Sequence, residues 1–366
     1  MTEREAYIAL NMMEKVGPVS VKKLVSALGT ASSLFEARHS ELSAVEGVGP
    51  AVVKAFIEQR ERIDWKGEIA AADDKQVNIV SRIDPEYPVL LQEIHDPPLA
   101  LYVRGALKSG DSRALAFVGT RRPTYYGKDV VSELVSGTVQ AGFTVISGLA
   151  RGIDTMAHKA ALESGGRTLA IMGGGFNRIY PSCNEGLADD ISRSGAVITE
   201  FPMDKPPDRT TFPMRNRIIS GMSEGVIVVE AGIKSGSLIT ANQALQQGRS
   251  VFAVPGRIDS AVSRGANDLI RKGAVPVTCT EDILEDFEFS GMPVNRREQK
   301  NLPLVELTDD EQKIITTLEC GEMDVDGIIR RTGLKSATVA GLLLQMEMKQ
   351  LVRMLPGKMV EAIQPR

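Results

Sequence analysis

Between residues 113 and 287, seven short apolar runs alternate with segments of helical length, and nothing else in the chain restricts its fold as tightly. The runs are ALAFVG (114 to 119), TVISG (144 to 148), TLAIMG (168 to 173), AVITE (196 to 200), GVIVVE (225 to 230), SVFAVP (250 to 255) and AVPVT (274 to 278). Each is continuously apolar, the pattern of a strand covered on both faces. The segments between them, such as KDVVSELVSGTVQ and SLITANQALQQG, suit crossover helices. The alternation therefore predicts an α/β fold with a doubly wound parallel, extended Rossmann-like sheet. Residues 77 to 112 are too proline-rich for a long regular element, and are expected to add one helix and one edge strand.

The flanks read differently. VGPVSVKKLV (16 to 25) is echoed by VGPAVVKAFI (48 to 57), with five of ten positions identical. In each copy a Gly-Pro turn opens an amphipathic helix, with proline at the first helical position, where its missing N–H costs nothing. This predicts a small all-α helix-hairpin-helix (SAM-like) domain over 1 to 76. The central domain is placed at 77 to 287. Residues 288 to 303 are polar and aperiodic, hence a linker. From 304 to 366, Thr308 and Glu311 stand at capping-box spacing. Three helical segments and two apolar runs around a Pro-Gly turn then predict a winged helix. Its third helix is expected to show mainly Ser336, Thr338, Gln345 and Glu347, so a protein-binding role is at least as well supported as DNA reading.

Composition narrows the chemistry. Lys+Arg 43 against Asp+Glu 47 leaves a net charge of -4, but residues 113 to 272 hold 19 basic and 14 acidic residues. Cys183, Cys279 and Cys320 are far apart and form neither a disulfide framework nor a zinc site, which fits a reducing cytosol. The N-terminus has no apolar signal-like core, and no apolar run approaches the ~20 residues of a membrane helix.

Ligands of open parallel sheets bind at the carboxyl ends of the strands. The loops expected there are GTRRPTYYG, SGLARGID, GGGFNRIYPSCN, the long EFPMDKPPDRTTFPMRNR, EAGIKSGS and PGRIDSAVSRGAN. All carry a basic residue. Arg121, Arg122, Arg151, Arg178, Arg209, Arg215, Arg217, Arg257, Arg264 and Lys234 are thus expected on one rim. Cations at helix C-termini follow from the helix dipole, but this edge lies near helix N-termini, where a cation is unfavourable until an anion joins it. Arg215 and Arg217, on the long loop, are read as phosphate-grasping groups, with Asn216 free to hold the backbone or a base.

The kind of anion follows by exclusion. GTRRPTYYG is not the dinucleotide fingerprint, and GxxxxGK[ST] is absent. GGG at 173 to 175 is a weak signal. His39, His95 and His158 lie in separate segments, and His158 is expected to be packed or solvated. Neither a catalytic constellation nor a cofactor motif stands out. A rim rich in arginine and spread over six loops suits single-stranded nucleic acid, with Tyr125, Tyr126, Phe176, Tyr180, Phe201 and Phe212 as candidate stacking platforms.

GTR (119 to 121), SGLARGIDTMAH (147 to 158), FPMRNRIISG (212 to 221), EAGIKSGSLITA (230 to 241) and VFAVPG with GANDLI together resemble the DprA/Smf DNA-processing family. The resemblance covers about residues 85 to 287 strongly and the flanking domains more loosely. It implies a cytoplasmic, non-enzymatic, cofactor-free homodimer that binds and protects single-stranded DNA during natural transformation and loads the RecA recombinase. Carried over position by position, it implies DNA contacts at Gly119, Thr120 and Arg121, in the loop Gly148 to Gly152 with Arg151, at Arg215 and Arg217, and at Ser235, Gly236 and Ser237. Where some relatives have a lysine after Tyr-Pro of the third loop, this chain has Ser182. One rival is a nucleoside-monophosphate phosphoribohydrolase on a similar sheet, but the acid expected after its glycine-rich turn is absent from GIKSGSLITAN; the other is a protein-binding adaptor working through the terminal domains.

Overall fold

The computed structural model describes residues 1–289, 307–318, 321–349, 351–355 and 357–362. Most of the expected linker, Cys320 and the proline of the expected Pro-Gly turn lie outside them. All seven apolar runs form strands: β3 (Ala114–Val118), β4 (Thr144–Ser147), β5 (Thr168–Ile171), β6 (Ala196–Thr199), β7 (Gly225–Val228), β8 (Ser250–Ala253) and β9 (Val275–Pro276). Two more precede them, β1 (Val77–Ser81) and β2 (Ala100–Gly105). The sheet order is β1-β2-β6-β5-β4-β3-β7-β8-β9.

From β6 across to β9 all neighbours are parallel, whereas β2 runs antiparallel to β6 and β1 antiparallel to β2. The sheet is therefore mixed, and residues 77 to 112 supply two strands where one was expected. The segment joining β1 to β2 contains one short helix, Val89–Gln92. Without a full crossover helix the chain folds back beside β1.

Burial on both faces explains the apolar runs. Leu115, Phe117, Val145, Ile227 and Phe252 pack with Val131, Leu134, Val135, Ala157 and Ala161 from helices Tyr125–Gln140 and Ile153–Glu163. On the opposite face Ala116, Val118, Ile146, Ile171 and Val226 meet Ile218, Ile219, Ala241 and Ala244 from helices Thr211–Gly221 and Ser237–Gln246. The chain lays β3 to β6 outward in one direction, then places β7 on the other side of β3. That reversal concentrates loops at the carboxyl ends of the central strands.

Gly17 and Gly49 cap the helices Pro18–Leu28 and Pro50–Gln59, as the repeat requires. This helical part is fastened to the sheet, and the two belong to one compact unit. Ile8 is buried with Ile79, Ala100 and Tyr102. The Asn11 side chain donates to the Glu200 carbonyl at 2.8 Å and accepts from the Ala100 N–H at 3.3 Å.

In the second unit, helices Asp309–Leu318, Val325–Thr332 and Ser336–Met348 accompany a three-stranded sheet of β10 (Met323–Asp324), β12 (Met359–Ala362) and β11 (Val352–Leu355) in that order. This is the expected winged helix. Ser336, Thr338, Gln345 and Glu347 are exposed. So are Leu344 (62%) and Met348 (81%), which lie one turn apart on the same helix.

The capping box forms. The Thr308 N–H donates to the Glu311 carboxylate at 2.9 Å, and the Glu311 N–H donates to Thr308 Oγ1 at 3.3 Å. Glu311 is 1% exposed and takes Lys349 Nζ at 2.6 Å. The Lys349 and Thr308 bonds hold its carboxyl below the usual carboxylate range. A carboxyl more acidic in the folded than in the unfolded chain stabilises the fold above its unfolded value, about pH 4.3, and that contribution fades as pH falls through the folded value. Glu311→Gln in the full chain is expected to cost about 1 kcal/mol at pH 7. Hydrogen exchange of amides 311 to 318 reads it, and the gap from wild type should shrink towards pH 3.

A cationic cleft at the strand ends

Three loops and one helix enclose a cleft of about 240 Å³, lined by Arg121, Arg122, Gly148, Ala150, Arg151, Tyr180, Pro181, Phe212 and Arg215. They follow β3, β4, β5 and β6 respectively. Four guanidinium-bearing residues line it, and no carboxylate does.

The first two loops are each held by a buried acid that is not among the lining residues. After β3, the Glu230 carboxylate accepts from the Thr124 N–H at 2.9 Å and the Thr124 hydroxyl at 2.6 Å. The Thr120 N–H donates to the Glu230 carbonyl at 2.7 Å. After β4, Asp154 accepts from the N–H groups of Gly148 at 3.1 Å and Ala150 at 3.3 Å. Burial raises the Asp154 carboxyl, and the charge of Arg215 opposes that rise. Two glycines of this loop are closely approached, Gly148 by the Arg215 side chain and Gly152 by backbone. A Cβ on Gly148 would stand 2.0 Å from an Arg215 guanidinium nitrogen, and one on Gly152, at φ 82°, would stand 2.3 Å from the Thr120 carbonyl.

Arg215 forms the floor. It is 5% exposed, and its Nη1 donates to the carbonyls of Gly148 and Ile171. Burial lowers its pKa to about 10, against the pull of Asp154, so it stays cationic at neutral pH. Arg121, Arg122 and Arg151 are exposed. Among the described residues no carboxylate lies within ion-pair distance of these three or of Arg215. On the third wall the Tyr180 and Phe212 rings lie 5.7 Å apart, and the Arg121 guanidinium sits 5.8 Å from the Phe212 ring.

Several expectations are corrected. Arg215, Asn216 and Arg217 lie on the helix Thr211–Gly221, not on a loop, and all three are buried. Residues two apart on a helix point in different directions. While Arg215 enters the cleft, Arg217 bonds Glu200, the Asp96 carbonyl, and the Asp96 carboxylate at 3.3 Å. Arg217 is thus a neutralised core group. Asn216 donates to the Gly236 carbonyl at 3.4 Å.

Ser235, Gly236 and Ser237 lie outside the cleft lining, and Ser235 and Ser237 share a 2.7 Å hydrogen bond. Gly119, Thr120 and Gly152 support the first two loops from behind. Arg178, Arg209, Arg264 and Lys234 are exposed away from the lining, and Arg257 pairs with Asp259 at 2.9 Å. Of the aromatic candidates, Phe176 and Phe201 are each 6% exposed core groups. Tyr125 (82%), Tyr126 (50%) and Tyr180 (51%) are open to solvent. The GGG segment packs against residues 202 to 207 and Phe212, with no room for an anion. The supporting acids Asp154 and Glu230 escaped the sequence reading, although an aspartate in the first turn of a helix opened by glycine is a legible signal.

Three modules, with a cationic cleft on the central doubly wound sheet, a helix-hairpin-helix pair before it and a winged helix after it, define the class. The chain belongs to the DNA recombination-mediator protein A family, DprA/Smf, whose model matches residues 78–288. The family's winged-helix model matches 298–358, and a SAM-like helix-hairpin-helix tandem matches 7–62. The chain is 33% identical to Protein Smf of Synechocystis over 97% of its own length and 98% of the relative's. It is 45% identical to DNA processing protein DprA of Bacillus subtilis over 60% of its own length and 74% of the relative's. The crystal structure of DprA from Streptococcus pneumoniae superposes with a TM-score of 0.68 at 34% identity, covering 79% of this chain and 99% of that one. A Helicobacter pylori structure, described for its single-stranded DNA binding mode, gives 0.53 at 29%, covering 59% and 97%.

Arg215 and Arg217 should separate cleanly in stability measurements. Arg217→Met leaves Glu200 buried without its partner and is expected to cost about 3–5 kcal/mol in urea unfolding. Arg215→Met breaks no contacting ion pair but leaves the Gly148 and Ile171 carbonyls without their donor and Asp154 without the charge that opposes its burial, and is expected to cost less, about 1–3 kcal/mol.

Proposed function

We propose that the chain binds single-stranded DNA across this cleft, protects it, and loads RecA recombinase onto it during transformation and homologous recombination, acting in the cytoplasm as a homodimer and without catalysing a reaction. The observation that carries the reading is the set of four guanidinium-bearing residues around one opening that no carboxylate lines. Four cations against one neighbouring buried acid leave such a site net positive for an arriving phosphate. Exposed Tyr180 beside Phe212 adds a surface on which a base can stack, worth about 1–3 kcal/mol per base.

At about 240 Å³ the cleft is smaller than the roughly 300–1,000 Å³ of small-molecule pockets. That favours one phosphate with part of its nucleotide, the rest of the strand running over the surface. The single-stranded DNA binding mode of the H. pylori relative supports such a strand as the ligand, and the family's character as a recombination mediator supports the hand-over to a recombinase. No described helix is long and apolar enough to cross a membrane. The non-enzymatic reading rests on the acids: Asp154 and Glu230 are both committed to loop N–H and hydroxyl groups.

A labelled oligonucleotide titration at several salt concentrations tests the proposal. Single strands are expected to bind more tightly than duplex. Arg121→Ala is expected to weaken binding about tenfold, the loss of one charged hydrogen bond, and to reduce the salt slope by about 0.7. Equal affinity for duplex and single strands would overturn the stacking component. In a separate assay, incubation with AMP should release no adenine; release would establish the hydrolase instead.

A further inference from the structure

The turn that carries Arg151 is bent against the preference of its own residues. Leu149 is fully buried with Met172, Phe176 and Ala188, yet its backbone lies in the left-handed region at φ 56°. A bulky side chain seldom adopts that conformation, which persists only where the surroundings enforce it. Here the enforcement is a set of hydrogen bonds. The peptide between Leu149 and Ala150 is held at both ends: Asp154 accepts from the Ala150 N–H at 3.3 Å, and the Leu149 carbonyl accepts from Asn184 Nδ2 at 2.8 Å. The Ala150 carbonyl in turn accepts from the Thr155 N–H at 3.1 Å and the Thr155 hydroxyl at 2.6 Å.

Asp154 and Thr155 belong to the helix that this turn opens, Ile153–Glu163, whereas Asn184 comes from the neighbouring loop, at the end of the short helix Ser182–Asn184. Asn184 is 5% exposed, and its backbone N–H donates to the Pro181 carbonyl at 2.9 Å. A carbonyl can only accept, so the amide nitrogen of Asn184 must be the atom facing Leu149. Its second proton goes to Thr155 Oγ1 at 2.8 Å, which spends its own on Ala150. Pro181 lines one wall of the cleft and Ala150 and Arg151 line another, and the Asn184 side chain ties the two together. We propose that Asn184 is a positioning residue for the cleft: by holding the Leu149 carbonyl from the adjacent wall it locks the left-handed turn, and so sets where Arg151, two residues on, meets a phosphate. This deepens the single-strand reading and rests on it for the identity of the ligand.

Two variants of the full chain test it. Asn184→Leu keeps the bulk and removes both donors, and Asn184→Ala removes them with less bulk. Both are expected to weaken single-strand affinity as much as Arg151→Ala does, roughly tenfold, and to reduce the salt slope by about 0.7 because one phosphate fewer is neutralised. On an Arg151→Ala background neither should weaken binding further, because Asn184 acts through Arg151. NMR without DNA supplies an independent reading: amide exchange at Ala150 and Arg151 should accelerate in either variant while β4 stays as in wild type. A merely structural Asn184 would lower unfolding stability and leave the affinity and salt slope of the folded protein unchanged. That result, losses that add to Arg151→Ala, or unmoved exchange at Ala150 and Arg151 would each overturn the proposal. If both variants unfold, wild type decides: the Asn184 amide protons should exchange slowly and show coupling through the hydrogen bond to the Leu149 carbonyl, and fast exchange without that coupling would overturn it. Failure of wild type to bind single strands would instead remove the ligand assignment, and the NMR comparison would still decide whether Asn184 locks the turn.

Discussion

The site depends on a guanidinium that the protein buries without giving it a contacting carboxylate. Burying a charge is costly unless it is paired, and Arg215 receives only carbonyl oxygens at Nη1, with Asp154 acting from behind the loop. Those carbonyls come from the ends of β4 and β5, so the sheet itself fixes where the charge stands. The surrounding features follow from keeping that charge in place and open. Gly148 must lack a side chain so that the guanidinium can lie against it, Asp154 ties the same loop down through its N–H groups, and Glu230 does the corresponding work for the loop that carries Arg121 and Arg122.

Arg215 and Arg217 show how one helix can divide two cations between opposite tasks. Two residues apart means about 200° around the axis, so the pair cannot share a face. Arg217 is turned to Glu200 and Asp96, and its charge is consumed in tying the helix to the end of β6 and to the segment before β2. Arg215 is turned to the cleft and its charge remains available. An ion pair that fixes the helix thereby fixes the angle at which the unpaired cation is presented.

The seven parallel strands were legible because burial on both faces writes itself as unbroken apolar runs, and the convergence of basic loops followed from strand direction alone. Two things were not legible. The antiparallel β1 and β2 depend on how the short helix at Val89–Gln92 redirects the chain, which no periodicity announces. The state of each arginine depends on partners distant in sequence: Asp96 and Glu200 lie far from Arg217 along the chain, and only the fold brings them to it. Reading FPMRNRIISG as a loop made two equivalent ligands of residues that a helix separates. Spacing grouped Arg121, Arg122, Arg151 and Arg215 with six other cations, and could not say that those six lie outside the lining or are already paired.

Net charge and site charge act over different ranges. At physiological ionic strength, interactions between exposed charges fade beyond about 8 Å. A chain of net charge -4 therefore draws no polyanion from a distance, and the attraction of the cleft is felt near contact. Recognition then rests on how many phosphates can approach the guanidinium groups at once. A single strand can bend its backbone into a narrow opening and unstack a base towards Tyr180, whereas a duplex holds its phosphates on a stiff cylinder with its bases paired inside. On the proposed reading, a preference for one strand over two would follow from the depth at which Arg215 sits: only a ligand flexible enough to reach the floor gains the fourth cation.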